Sequence, residues 1–161
     1  MIEYTTVKLA AEKHAAQIAE MSRDHIEHGL GWGWTRQRVL GSIRDTESNV
    51  GVIVKSEVVH AFGIMRYGER HAHLELLAVR PESRRKGLGR SVVLWLEEVA
   101  RVAGAERTLV ECRRSNDAAR HLYLELGYHE IVIERGMYRM SEDGIHLEKW
   151  LRPGAVDENG A

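Results

Sequence analysis

The segment from Leu76 to Ala100, LLAVRPESRRKGLGRSVVLWLEEVA, restricts the fold more than any other part of the chain. An apolar run ends at Val79, and Pro81 stops a strand from continuing because it has no amide to donate. A turn containing Gly87 and Gly89 then opens an amphipathic stretch. Leu88, Val92, Trp95, Leu96, Val99 and Ala103 fall on one stripe, so the spacing predicts a helix from Gly87 to about Ala103. The segment thus reads as strand, glycine turn and helix amino terminus. The turn also gathers Arg80, Arg84, Arg85, Lys86 and Arg90 against the single anion Glu82, in a chain whose formal net charge is -1.

Elsewhere the pattern is that of an ordinary globule. With 161 residues, 43% hydrophobic and 29% charged, one domain over residues 1–151 is expected, followed by a frayed tail at 152–161. The longest apolar run, VVLWL at Val92–Leu96, is far short of the roughly 20 residues that a membrane-spanning helix needs. MIEYTTVKLA has no basic start and no apolar signal core, so a cytoplasmic location and no membrane partner are expected. One cysteine, Cys112, can form neither an internal disulfide nor a structural zinc site, and it is expected to pack in the core. A near-neutral balance argues against a nucleic-acid partner, which would require a broad basic footprint. The clustered cations call instead for a small, local, anionic ligand.

The remaining elements follow from periodicity and capping. An opening strand in IEYTTVKLA precedes a helix from about Ala10 to His28, with Ala11, Ala15, Ile18 and Ile26 inward. GLGWGW is a loop, and Thr35 caps a second helix reaching about Asp45, with Val39, Leu40 and Ile43 inward. VGVIVKSEVVHAFGIMRYG reads as two strands turning at Ser56 and Glu57, and HAHLELLAV as a third. After the glycine-turn helix, Gly104 is a stop and RTLVEC a strand. NDAARHLYLELG is a helix capped by Asn116 and stopped by Gly127, and YHEIVIE and GIHLEKWL close the fold as strands.

The unpaired amides of a first helical turn, with the positive end of the helix dipole, attract phosphate. Glycine at 87 and 89 keeps those amides accessible. Spacing narrows the ligand: Val92 stands where a dinucleotide G-x-G-x-x-G would need its third glycine, and no GxxxxGK run exists. R-x-x-G-x-G does match, from Arg84 to Gly89. Here the chain resembles the GNAT superfamily of acyl-CoA-dependent N-acyltransferases, whose corresponding turn holds the pyrophosphate of coenzyme A. The second region, ECRRSNDAARHLYLELGYHEI, resembles the later strand, Asn-led helix and LY...GY ending of the same family.

This resemblance implies an α/β fold with a central, mostly antiparallel sheet of six to seven strands, about four flanking helices and splayed central strands. It implies acetyl-CoA as acyl donor and no metal. Arg84, Arg85, Gly87, Leu88, Gly89 and Arg90 would hold the pyrophosphate, while the backbone of Leu77 and Val79 pairs with pantetheine and Asn116 contacts it. Glu111 precedes Tyr123 by twelve residues, as a Glu or His precedes a Tyr in the branch of ribosomal-protein and other protein N-terminal acetyltransferases. Glu111 would accept the amine proton and Tyr123 would protonate the departing sulfur. His73 and Glu75, on one face of their strand, are alternative bases, since HLELLAV is similar to the HLHALAV run of arylalkylamine acetyltransferases.

The implied function is acetyl transfer to a primary amine by direct attack in a ternary complex, the acceptor being a small molecule or a protein N-terminus. A catalytically silent acyl-CoA-binding module is the alternative. Trp32 and Trp34 either enclose the acceptor or pack a helix corner. Tyr138, in RGMYRMSEDG, matches the second Tyr of a YY...EDA segment that holds substrate backbone in the N-terminal acetyltransferases, with Met137 in place of the first. The family also allows a homodimer.

Overall fold

The computed structural model describes residues 6–140 and 142–152. Its elements are β1 (Lys8–Leu9), a 3-10 turn (Glu12–His14), α1 (Ala15–His25), α2 (Arg36–Arg44), β2 (Ser48–Lys55), β3 (Val58–Tyr67) and β4 (His71–Val79). A second 3-10 turn (Pro81–Ser83) leads into α3 (Leu88–Ala103), β5 (Arg107–Arg113), α4 (Asp117–Glu125), β6 (His129–Tyr138) and β7 (Glu142–Trp150). The strands hydrogen-bond in the order β1-β2-β3-β4-β5-β7-β6. β4 runs parallel to β5, while the β1–β2, β2–β3, β5–β7 and β6–β7 pairs are antiparallel. This is the expected mixed sheet with four helices. The parallel ladder joins His71–Leu74 to Arg107–Val110, and both strands run on, to Val79 and Arg113. The start of the expected opening strand and the expected tail, at 1–5 and 153–161, lie outside the described residues.

Two compact units divide the chain: residues up to Arg66 with Glu75–Leu96, and Tyr67–Leu74 with residues from Glu97 on. In the first, the expected helix from Ala10 to His28 is shorter and broken. His14 Nδ1 accepts the Ala11 amide at 2.9 Å, which holds Glu12–His14 as a 3-10 turn before α1 begins. At the other end the Ile26 and Glu27 amides both reach the Ser22 carbonyl, closing α1 after His25. Thr35 caps α2 as expected, its hydroxyl accepting the Arg38 amide. Ser56 and Glu57 both take positive φ (52° and 67°), the two-residue turn that suits a right-twisted hairpin.

β2 and β3 are buried along both faces. Val50, Val52, Phe62 and Ile64 join Ile18, Met21, Val39 and Leu40 of α1 and α2 in one core. On the other face glycines let α3 lie close. A Cβ on Gly63 would stand 2.8 Å from both Val92 Cγ1 and Leu96 Cδ1, and one on Gly51 would stand 3.1 Å from the Trp95 ring.

In the second unit, Val110 and Cys112 of β5 and Ile145 and Leu147 of β7 are buried, and the antiparallel register sets Glu111 opposite His146. Glu97 is buried in α3, where its carboxylate accepts from the Tyr128 hydroxyl and from Lys149 Nζ, both at 2.7 Å. Buried Glu148 is likewise held by Arg107 Nη1 at 2.6 Å and His129 Nε2 at 3.2 Å. Ala103 departs from the expected stripe: it is exposed beside Gly104 (φ 109°), and Ala100 takes the buried position one turn earlier. Among the described residues no helix is long and apolar enough to cross a membrane.

Candidate functional site

The glycine turn belongs to the first unit. Arg80 donates its amide to the His60 carbonyl and its Nε to the Val59 carbonyl, which pins the end of β4 to β3. Buried Ser83 meets His60 Nδ1 at 2.6 Å, and Arg84 Nε donates back to the Val79 carbonyl. Arg85 (φ 65°) and Gly87 (φ 77°) then turn the backbone into α3. Leu88 and Gly89 are buried, so Leu88 anchors the helix start, while Arg84, Arg85, Lys86 and Arg90 remain exposed around it. A Cβ built on Gly87 meets nothing within 4 Å, which leaves open space beside the first-turn amides. Exposed guanidinium and ammonium groups around a helix start suit a phosphate-bearing ligand.

Burial along β4 alternates strictly. Ala72, Leu74, Leu76 and Ala78 are buried, and His73, Glu75, Leu77 and Val79 are half-buried on the alternate positions.

The second unit holds four candidate residues, His73, Glu111, Tyr123 and Tyr138, of which the first two are in contact. Glu111 of β5 is half-buried, and its Oε2 lies 2.6 Å from His73 Nε2. Both line a cleft of about 180 Å³ with His71, Leu109, Ile131 and His146. Tyr123 of α4 is only 5% exposed. Burial pushes its phenol well up, and the neighbouring Cys112, Tyr138 and Glu111 push in the same direction. Tyr138 is raised to about 12, mainly by burial and then by Cys112 and Glu111, and the Arg113 guanidinium lies 5.5 Å from its ring centre. A half-buried carboxylate can accept a proton, and a phenol held in its protonated form can donate one.

Cys112 is buried, and burial pushes its thiol up to about 11, so the reactive thiolate is disfavoured. It packs, as expected from its place next to Glu111 on the strand. Asn116 caps α4, its Oδ1 accepting the Ala119 amide at 3.1 Å. No group of three or more His, Cys, Asp or Glu side chains among the described residues is placed to hold a metal ion.

The two tryptophans of the α1–α2 loop occupy different environments. Trp34 is 9% exposed and packs in the core under the Arg38 guanidinium, 3.8 Å from its ring centre. Trp32 is 43% exposed, with its indole N–H donating to the Ala19 carbonyl. Between them works a residue that periodicity does not reveal. Glu27 accepts the Gly33 amide at 2.6 Å, the Trp34 amide at 3.1 Å and the Ser22 hydroxyl at 2.8 Å, and so fixes the loop. His146 was missed as well. It faces Glu111 only through the β5–β7 register and is bonded to Glu134 at 3.0 Å, a pairing that a single strand pattern does not disclose.

Known proteins are similar to this chain in sequence and in fold. The model of the acetyltransferase (GNAT) family matches residues 9–128. The ribosomal protein bS18-alanine N-acetyltransferase of Salmonella typhimurium is 30% identical over 105 residues, which span 65% of this chain and 70% of that protein. Among solved structures, the ribosomal-protein-S18-alanine N-acetyltransferase of Escherichia coli superimposes with a TM-score of 0.79 at 22% identity, covering 94% of this chain and 97% of that one. A Salmonella typhimurium acetyltransferase solved with its cofactor acetyl-CoA also gives 0.79, at 19% identity and with 95% and 97% covered. With the family pattern running from β1 through Tyr128, the chain belongs to the acetyltransferase (GNAT) family and is an N-acetyltransferase.

Proposed function

We propose that this protein transfers the acetyl group of acetyl-CoA to a primary amine by direct attack, with Glu111 as base and Tyr123 as acid. The observation that carries the assignment is a half-buried carboxylate lining a cleft in the same unit as a buried phenol, which burial first, and Glu111 after Cys112 and Tyr138, keeps protonated. The attacking nitrogen must be neutral, so the ammonium proton goes to Glu111. The leaving thiolate must be quenched, so the Tyr123 hydroxyl donates to sulfur. No covalent enzyme intermediate is needed. Arg84, Arg85, Gly87, Leu88, Gly89 and Arg90 would hold the cofactor pyrophosphate, Leu77 and Val79 would pair with pantetheine, and Asn116 would contact it. When bound, the cofactor supplies the activated acetyl group.

For the acceptor we favour the N-terminal amine of a polypeptide, supported by the ribosomal-protein-alanine acetyltransferases among the relatives. Tyr138 and exposed Trp32 are the proposed acceptor contacts, while the burial of Trp34 supports a packing role for it. Glu75 stays the alternative base on β4. Residues 1–151 are taken as one catalytic domain acting in the cytoplasm, where its ribosomal acceptor class resides.

Calorimetric titration with acetyl-CoA, desulfo-CoA and NADH, followed by a thiol-release screen of small amines and short peptides, tests the proposal. Saturable binding of the CoA compounds alone, with thiol release on a peptide beginning with alanine, is expected. A folded sample that binds no CoA compound would overturn it.

A further inference from the structure

We propose that His73 is a positioning residue for Glu111: it fixes which carboxylate oxygen meets the acceptor amine and sets the pH at which that oxygen takes the proton. The proposal rests on Glu111 being the base. A carboxylate only accepts, so the proton in the 2.6 Å contact belongs to His73 Nε2 and engages Oε2. Among the described residues no hydrogen bond engages Oε1, which leaves that oxygen to the incoming amine.

The two residues come from different strands and are 38 positions apart, joined by the parallel β4–β5 ladder, where His73 is paired with Leu109, the residue two before Glu111. Alternation then puts Leu109 and Glu111 on one face, so the imidazole reaches forward along β5 to the carboxylate. Side-chain exposure is 39% for His73 against 21% for Glu111, so the imidazole occupies the wetter side and the carboxylate the drier one. Were His73 itself the base, the proton would have to enter at Nδ1, because Nε2 already carries one in the contact with Glu111.

Other charged groups stand around the pair. From β4 comes His71, from β7 His146 with its partner Glu134 of β6, and from β5 Arg113, which is bonded to Glu142. The charge of Glu111 also acts on Tyr123 of α4 and Tyr138 of β6, raising both phenols. These two are neutral at working pH and His146 is engaged by Glu134, so titration of His73 is the change that Glu111 feels through a direct hydrogen bond.

Two readouts test this, one of which needs no acceptor. In protein labelled with 15N-histidine, the His73 ring signals, assigned by their loss in His73→Gln, are followed from pH 4.5 to 9 in wild type and Glu111→Gln. The His73 midpoint should fall by about half a pH unit or more once the carboxylate is neutralised. Identical midpoints would overturn the pairing. Against acetyl-CoA and a short peptide with a free N-terminal alanine, His73→Gln should move the acid limb of kcat/KM to higher pH and lower kcat by about tenfold, with KM for acetyl-CoA unchanged. An unmoved acid limb, or kcat at the wild-type level, would also overturn it. His73→Ala should lose more activity than His73→Gln, because Gln still donates to Oε2. A coupled His73 titration with no turnover of any amine would keep the His73–Glu111 pair and remove the proposed reaction instead.

Discussion

The ring of Tyr123 lies 5.5 Å from that of Tyr128, with their planes tilted by 59°. Aromatic packing holds the phenol, and among the described residues no hydrogen bond engages its hydroxyl. Removing that oxygen should therefore spare the fold. Tyr123→Phe and Glu111→Gln are each expected to lower kcat by about 10²- to 10⁴-fold, with acetyl-CoA affinity within about twofold of wild type. Steady-state kinetics beside calorimetry checks this, and wild-type turnover in either variant would remove that residue from its role.

Gly87 combines a φ of 77° with open space around its Cα. Gly87→Ala should therefore act through backbone strain, costing about 1–2 kcal/mol where the turn keeps its shape. A turn that relaxes instead would misdirect the first amides of α3 and weaken acetyl-CoA binding. Calorimetry should find a loss of tenfold or more, with Gly87→Asn milder because Asn tolerates this region better.

His14 is buried, and burial first, then Lys8 and Lys13, lowers its pKa from the ordinary histidine value. Its Nδ1 accepts the Ala11 amide, so protonating that nitrogen breaks the bond that shapes the start of α1. His25 and His60 are also lowered, chiefly by burial and then by Arg84 and Arg80 respectively. In each case the unfolded chain binds the proton more readily than the folded one. The stabilisation from keeping these rings neutral is present above the unfolded pKa of about 6.5 and is lost as pH falls below it toward the folded value. Urea midpoints should be flat from pH 8 to 7 and drop between pH 6.5 and 5, with a shallower drop in His14→Gln.

Glu97 sits buried between the Tyr128 hydroxyl and Lys149 Nζ. Glu97→Ala leaves the ammonium, 22% exposed in its side chain, without its anion, and should destabilise the protein by about 3–5 kcal/mol. Glu97→Leu combined with Lys149→Met should recover most of that loss. Chemical denaturation of the two single variants and the double variant measures the coupling.

Elements whose signals are local were legible in the sequence. Thr35 and Asn116 cap their helices through side chains that bond the amide three residues on, and Ser56–Glu57 turns the hairpin between two β-rich runs. The glycine turn was readable because proline, glycine and an apolar stripe act within one short window. The broken start of α1 was not, since it depends on His14 turning Nδ1 back to Ala11 instead of outward. Nor was the pairing of His73 with Glu111, whose roles stood as alternatives until strand register joined them. His146 and Glu27 escaped for the same reason, because their partners are chosen by loop and ladder geometry and not by spacing along the chain.

The missing side chain at Gly63 acts as a keyway. Val92 and Leu96 fill the slot that a methyl group would occupy, so α3 cannot creep along β3 by a fraction of a turn without colliding with the sheet. The cation-bearing turn is the leading end of that same helix, so its axial setting is decided up to some two turns downstream. Gly63→Ala would thus behave as a long-range lesion: the cofactor grip would loosen although every residue around the turn is unchanged.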